Sequence, residues 1–446
     1  MPTDNYRWYR ELNRYHWFVL VVAALGWLFD CLDQQLFILA RQSAMKDLLG
    51  GTPSQAAIDS YGSYATAIFL MGWAIGGLIF GVMGDRIGRA KTMVATILLY
   101  SVFTGLSALS VGFWDFSLYR FLTGLGVGGE FAVGVALVAE VMPERARPYC
   151  LSILQALSVV GNISAALLAM TFGELAQRGI VTSTWRPMFV IGAVPAILAL
   201  VIRARLHEPE RWQIASHTSS AAKKLGSYRE LFGHPTWRRH AFVGVGLAFS
   251  GIVGLWAVAF YTLDLVGNTV RAQLLAENVS AEQITGLVPR WKGIASIMLN
   301  VGAAFGMYGF AILTQRIGRK PAFGLGFVAA LLSATSVFYF LRELHQIFWL
   351  LPIMGFSIFS LFAGYAIYLP ELFPTHLRST GTSFCYNVGR FVAALGPALL
   401  GWLTTNVYSD AADPLRSAGL TMCGVFVLGL LVLPFAPETK DRPLPE

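Results

Sequence analysis

Gly84-Asp85-Arg86-Ile87-Gly88-Arg89 and Thr314-Gln315-Arg316-Ile317-Gly318-Arg319 are near-copies of one short basic turn, set 230 residues apart. Each follows one long apolar run and precedes another. A second pair repeats in the same order: Glu140-x-x-Pro143 with Arg147, and Glu371-x-x-Pro374 with Arg378, 231 residues apart. Two motifs recurring in order at one period imply an internal duplication.

The runs around these turns are long enough to cross a bilayer, which takes about 20 mostly apolar residues. They lie near 16–40, 59–83, 92–112, 115–141, 149–174 and 186–204, then near 239–266, 291–314, 321–341, 346–370, 380–405 and 415–436. The expected fold is an all-α membrane bundle of about twelve transmembrane helices in two six-helix pseudo-symmetric halves, residues 1–204 and 239–446, the second ending in a short tail. A polar linker, 205–238, holds Ser216, Ser219, Ser220, Lys223 and Lys224. Composition agrees: 55% of the 446 residues are hydrophobic and 13% charged, against about 25% charged in soluble domains. The first run follows Arg7, Arg10 and Arg14 but exceeds a secretory apolar region of about 7–15 residues, so it is expected to remain as a helix. Duplicated halves with sites at their interface are a common transporter design.

The net charge of +8 would suggest a nucleic-acid partner in a soluble protein. In a membrane protein it reads as basic cytoplasmic loops. With the N-terminus inside, 22 Lys and Arg fall on the cytoplasmic side and nine opposite, while Arg120 and Arg390 fall within predicted helices. The expectation is a multi-pass protein of the cell inner membrane with both termini cytoplasmic, acting as a monomer on a small molecule and protons, without nucleic acid. The cysteines, Cys31, Cys150, Cys385 and Cys423, read as small core residues. The seven histidines show no HExxH or paired metal spacing, which argues against an enzyme, and there is no phosphate-binding loop for ATP. No metal or cofactor is expected. Gly124-x-Gly126-x-x-Gly129 matches a dinucleotide fingerprint only as a string. It lies inside an apolar run with no preceding strand, so these glycines are expected to bring helices close together.

These motifs resemble the major facilitator superfamily over essentially the whole chain. Gly81-x-x-x-Asp85-Arg86-x-Gly88-Arg89 resembles its signature loop between helices 2 and 3. Arg120-Phe-Leu-Thr-Gly124-Leu-Gly126-Val-Gly128-Gly129-Glu130 is similar to helix 4 of the sugar and organic-acid symporter branches. Pro209-Glu210-Arg211-Trp212 and Pro437-Glu438-Thr439-Lys440 resemble the end of helix 6 and the tail of sugar porters. Asp30-Cys31-Leu32-Asp33 resembles the helix 1 Asp-x-x-Asp of aromatic-acid and related organic-anion porters, although the glycine between the two acids is missing. Asn387-Val-Gly389-Arg390, followed by Gly396-Pro397, is similar to their helix 11. The Gln-Gln pattern of hexose porters is absent from 249–254.

Asp30, Asp33 and Gln34 share one helix face. Acids at membrane depth are costly and face a bundle interior or a water cavity, and crowding two together favours holding a proton. Counting about 1.5 Å per residue, Asp30 and Arg120 come to similar depths. The resemblance implies a proton-coupled pair of Asp30 or Asp33 with Arg120; a static ion pair is the alternative. Glu130, a further proton-coupling candidate, lies about 15 Å further along its helix, and Arg390 lies at comparable depth. Arg390 could clamp a substrate carboxylate, or Glu130 and Arg390 could neutralise each other. Asn387 could bind substrate or a neighbouring helix, and Gln34, Trp256, Tyr261 and Tyr365 are further substrate candidates. Asp264 reads as a solvated helix end. Asp85, Arg86, Arg89, Glu140, Arg147, Arg316, Arg319, Glu371 and Arg378 are candidate gating residues, with Gln315 making the second copy the weaker latch. The expected function is proton symport of a small organic solute, first an organic anion, by alternating access. A sugar symporter and a proton-driven exporter are the alternatives.

Overall fold

A computed structural model describes residues 7–217, 225–393 and 396–446, so linker positions 219, 220, 223 and 224 lie outside the described residues. Among the described residues every regular element is helical. The first five are α1 (Arg14–Leu48), α2 (Gln55–Arg86), α3 (Arg89–Ser107), α4 (Phe113–Val141) and α5 (Arg147–Gln177). Then come α6 (Trp185–Ile191), α7 (Pro195–Arg205), α8 (Glu210–His217) and α9 (Tyr228–Gly233). Next are α10 (Pro235–Val253), α11 (Phe260–Ala276), α12 (Ala281–Ile317), α13 (Arg319–Phe340) and α14 (Ile347–Glu371). The last are α15 (Arg378–Ala393), α16 (Gly396–Trp402), α17 (Pro414–Met422) and α18 (Val425–Val432).

Among the described residues, eleven helical segments are long and apolar enough to cross a membrane. Large apolar side chains face outward along them, with Met170 72%, Phe305 69% and Leu332 62% exposed. A bilayer, not water, is the solvent for that surface, and continuous helices keep every backbone polar group satisfied inside it. Side chains fix the helix starts: Asn13 caps α1 by accepting from the His16 N–H at 2.8 Å, and Ser54 caps α2 by accepting from Ala57.

Three predicted spans come out differently in detail. The helix expected over 186–204 breaks between α6 and α7, where Pro195 supplies no N–H. The one expected over 239–266 begins at Pro235 and continues through a π turn, Gly254–Ala259, into α11. The one expected over 380–405 is helical in α15 and α16, and 394–395 lie outside the described residues.

The chain forms two compact units. The first comprises Met1–Arg238, Leu369–Asn387 and Pro443–Glu446, and the second Arg239–Tyr368 and Val388–Arg442. Leu369–Asn387, which belongs by sequence to the second repeat, is thus packed into the first unit.

Each unit repeats one backbone contact. A Cβ added at Gly72 or Gly76 of α2 would lie 2.1 or 2.0 Å from the carbonyl oxygens of Phe121 and Leu125 on α4. In the second unit, a Cβ added at Gly302 or Gly306 of α12 would lie 1.9 or 2.1 Å from the Pro352 and Phe356 carbonyl oxygens of α14. These positions are related by the same 230-residue offset as the basic turns. Gly124 and Gly128 answer from the α4 side, as expected of packing glycines.

Candidate functional site

Arg120 on α4 is fully buried, and its partner is Asp33 of α1. One guanidinium nitrogen, Nη1, lies 3.5 Å from each Asp33 oxygen. Asp33 also accepts from the Thr104 hydroxyl at 2.5 Å. Other Arg120 donors reach Ser107 Oγ at 3.1 and 2.8 Å and Thr123 Oγ1 at 3.0 Å. The guanidinium sits 4.7 Å from the Phe189 ring centre, between Phe37 and Phe116. A buried ion pair of this kind is weak evidence for stability, since desolvation offsets the attraction. A spacing loose enough to be broken is what a switching pair needs.

Asp30 points elsewhere. Its carboxyl group faces that of Glu130 on α4, and both residues are 1% exposed. Glu130 lies flat against α1, so that a Cβ at Gly26 would come within 2.3 Å of its Oε1. Tyr100 of α3 is fully buried and within electrostatic reach of Asp30, Glu130 and Asp33. The two acids of the Asp-x-x-Asp motif therefore have different partners, Asp33 an arginine and Asp30 another acid. Glu130 and Arg390 fall in different units.

At the basic end of the first unit, Asp85 caps the start of α15. Its Oδ1 accepts from Ser379 N at 3.1 Å, and its Oδ2 accepts from Thr380 N at 2.8 Å and the Thr380 hydroxyl at 2.6 Å. Arg89 pairs with Asp85 at 2.9 Å and with Glu140 at 2.8 Å. Glu140 also accepts from Arg378 at 2.7 Å, and Arg378 donates to the Pro370 and Pro445 carbonyls. Arg147 lies beside Glu371. The acids and arginines of the repeated motif thus cross over: Glu140 pairs with Arg378, and Arg147 lies within electrostatic reach of Glu371. Arg86 is exposed and donates to the Leu225 carbonyl at 3.2 Å, reaching no carboxylate among the described residues. Arg316 is exposed, and its carbonyl accepts from Lys440 Nζ. An open groove of about 480 Å³, lined by Leu78, Ile79, Val82, Arg86 and Tyr228, sits beside this end of α2 rather than at the buried acids.

The motif ends Glu208 and Glu438 carry a duplicated cap that sequence reading missed. Gly88 and Gly318 precede α3 and α13 with φ of 118° and 97°, and glycine has no side chain to cap with. Glu208 supplies the missing acceptor to Ala90 N and Lys91 N, both at 3.1 Å. Glu438 does so for Arg319 N at 2.9 Å and Lys320 N at 3.0 Å. The register moves by one residue because Pro321 has no N–H. The signal was available, since the 230-residue offset maps Glu438 onto Glu208 and not onto Glu210. Partial burial alone would push the Glu438 carboxyl up, but the N–H groups of Arg319, Lys440, Lys320 and Thr439 outweigh it and hold it below the usual glutamate range. A lowered folded value means the stabilisation is present above the unfolded value of about 4.3 and is lost as pH falls through the folded value. Glu438→Gln should therefore lower the melting temperature at pH 7, with the gap closing in acid. A gap of the same size at every pH would show that the carboxylate charge contributes nothing.

The substrate candidates are spread out. Tyr365 is fully buried in the second unit, donates to the Leu247 carbonyl at 2.8 Å and stacks on Phe323. Asn387 donates to the carbonyls of Gly128 and Ser383 in the first. Asn387 thus bonds a neighbouring helix, one of the two roles expected of it, and the Tyr365 hydroxyl is held by a backbone carbonyl. Gln34, Trp256 and Tyr261 are half-buried. Arg390 is buried on α15 in the second unit. Asp264 is exposed and pairs with Lys292 at 2.7 Å, a solvated helix end. All four cysteines are buried, as expected of small core residues.

A bundle of helices long and apolar enough to cross a membrane, with charged side chains buried among them, marks a multi-pass membrane protein. The sequence pattern of the sugar (and other) transporter family matches residues 21–228 and 217–446. A putative metabolite transport protein of Haemophilus influenzae is 31% identical over 97% of this chain and 99% of its own length. The cis,cis-muconate transport protein of Acinetobacter baylyi is 29% identical over 80% of this chain and 81% of its own. The fold is shared with the major facilitator superfamily proton:xylose symporter XylE, with a TM-score of 0.76 at 19% identity, covering 96% of this chain and 98% of that one. The chain belongs to the sugar (and other) transporter family of the major facilitator superfamily, and it transports small organic solutes.

Proposed function

We propose that this protein imports a small organic anion together with protons by alternating access, as a monomer in the cell inner membrane with both termini cytoplasmic. The buried Asp33–Arg120 pair carries the coupling argument. In a dry, low-dielectric site the two charges hold each other. A proton arriving on Asp33 removes the attraction and releases Arg120, so proton binding can be linked to a change of state. Arg390, buried at membrane depth on α15, supports an anionic substrate, because a guanidinium can take a carboxylate bidentately. The relative named for cis,cis-muconate transport favours the same class. Asp85, Arg89, Glu140, Arg147, Glu371 and Arg378 act as the cytoplasmic latch. Arg319 stands at the corresponding place in the second repeat, without an acid at Gln315.

The test is uptake in proteoliposomes of labelled carboxylates (aromatic acids, nicotinate, sialic acid and muconate) and of labelled sugars, with and without an inward proton gradient. Gradient-driven accumulation of an acid but of no sugar is expected. Asp33→Asn should lower that accumulation at least tenfold while substrate counterflow, which needs no net proton movement, persists. Sugar accumulation would move the assignment to sugar symport, and gradient-driven extrusion would move it to export. Normal accumulation by Asp33→Asn would remove the pair from coupling.

A further inference from the structure

We propose that the groove beside the basic end of α2 binds an anionic phospholipid, with the phosphate on Arg86 and an acyl chain lying along Ile79 and Ile75. The groove holds about 480 Å³ and is lined by Leu78, Ile79, Val82, Met83, Ile87 and Tyr228 together with Arg86. One wall is α2, and the other is the segment 225–228 that leads into α9. Three contacts fasten this segment to α2. The Tyr228 hydroxyl donates to the Leu78 carbonyl at 2.9 Å, and Arg86 Nε donates to the Leu225 carbonyl at 3.2 Å. Gly226, with φ of 58°, lies so close that an added Cβ would stand 2.6 Å from the Val82 carbonyl oxygen. The Tyr228 ring is backed by Phe232 and Phe384. With its Nε held, the Arg86 guanidinium is fixed at the groove, and its two terminal nitrogens have no partner among the described residues. The acids beside it in sequence are engaged elsewhere, Asp85 by Arg89, Ser379 and Thr380, and Glu230 by His376.

The shape matches a lipid. Ile75 and Ile79 are exposed on α2 one turn apart, and Val82 and Arg86 continue the same face. From Ile75 to Arg86 the helix rises about 16 Å, close to one leaflet of a hydrocarbon core about 30 Å thick. An acyl chain on this face therefore ends where the guanidinium begins. The charge matches an anionic headgroup. A phosphodiester accepts two parallel N–H bonds from the terminal nitrogens of an arginine. A zwitterionic headgroup brings its own cation beside the guanidinium, and a phosphatidylglycerol headgroup does not. Arg229, exposed next to Tyr228, adds to the same field. Free phosphate would meet the guanidinium but gain nothing from the apolar walls, so the groove selects the ligand that has both parts.

The experiment titrates the purified full chain, in uncharged detergent, with phosphatidylglycerol, with phosphatidylcholine of the same acyl chains and with inorganic phosphate. Native mass spectrometry reads bound lipid, and thermal unfolding reads the stabilisation it brings. Phosphatidylglycerol is expected to bind about tenfold more tightly than phosphatidylcholine, the size of one charge-assisted contact. Arg86→Gln should remove that preference. Arg10→Gln, which removes an exposed cation that does not line the groove, should keep it. Ile79→Trp fills the groove from an exposed position and leaves the guanidinium in place, so it should lose the preference too; it decides alone should Arg86→Gln fail to fold. Equal affinity of the wild type for the two lipids overturns the site. So does an equal loss of preference in Arg86→Gln and Arg10→Gln, which would assign it to the field of the whole basic surface, and so does wild-type binding by Ile79→Trp. Inorganic phosphate that displaces the lipid at equal concentration would assign Arg86 to a free anion and overturn the lipid reading.

Discussion

Replacing Glu140 with Gln should lower the melting temperature of the purified protein by roughly 5 °C or more and cut uptake more than tenfold. Two buried guanidiniums depend on this one carboxylate. Its Oε1 accepts from Arg89 at 2.8 Å and from Arg378 at 2.7 Å, and its Oε2 accepts from Arg89 Nε at 3.2 Å. All three side chains are fully buried. The amide keeps the shape but removes the charge and offers one acceptor oxygen, so a net positive cluster is left in a dry site. Breaking one side of a buried ion pair costs about 3–5 kcal/mol, and each kcal/mol moves the transition of a domain of this size by a few degrees. Asp85 remains 2.9 Å from Arg89 but serves Ser379 and Thr380 as well, so it cannot also neutralise Arg378. The same loss should favour the state in which the segment at 375–380 is released, which is why transport suffers as well as stability. Thermal unfolding in detergent and uptake in proteoliposomes read the two effects separately. A variant with the wild-type melting temperature would mean that water already reaches both arginines.

Gly128→Val should abolish accumulation of folded protein, with yield in the membrane fraction falling more than tenfold. A Cβ at Gly128 would stand 2.0 Å from the Trp73 carbonyl oxygen and 2.6 Å from the Gly77 nitrogen, so the clash is with backbone. Side chains can rotate away from an added methyl group, but two helix backbones in contact cannot. Overpacking a core already costs about 1–3 kcal/mol where side chains can give, and here α2 and α4 must separate along their length. Gly134 on the same helix is the control. Its nearest neighbours, Glu130 Oε1 and the Met93 methyl, would be 3.5 Å from a Cβ, an ordinary contact. Gly134→Ala should express normally. Equal yields for the two variants would show that the α2–α4 contact can open without loss of the fold.

The fold was largely legible because its signals are one-dimensional. Apolar runs of spanning length mark helices wherever lipid is the solvent, and the 230-residue offset between the turns at Gly84–Arg89 and Thr314–Arg319 exposes the duplication. The same offset recurs in the Gly72 and Gly76 contacts and in the Glu208 and Glu438 caps. The caps are hidden in the sequence because the Pro209-Glu210-Arg211-Trp212 motif displays Glu210, two residues away from the position that the offset indicates. Where single residues depart from their predicted surroundings, the cause is local: Pro195 interrupts a predicted helix, and Arg86 turns outward to the Leu225 carbonyl.

The sequence by itself determined which residues are buried charges: Asp30, Asp33, Arg120, Glu130 and Arg390 stand out because an ionisable group inside an apolar run is expensive and rare. Only the tertiary structure decided their partners. Residues three apart on a helix lie on one face but differ by about 60° in direction, enough to send Asp33 toward Arg120 and Asp30 toward Glu130. Glu140 and Arg378 are 238 positions apart in the chain, and no local periodicity links them. Hydropathy and motif spacing are properties of a segment. Charge pairing is a property of the rotations and registers of several packed helices, and those are fixed only when their glycines and side chains meet.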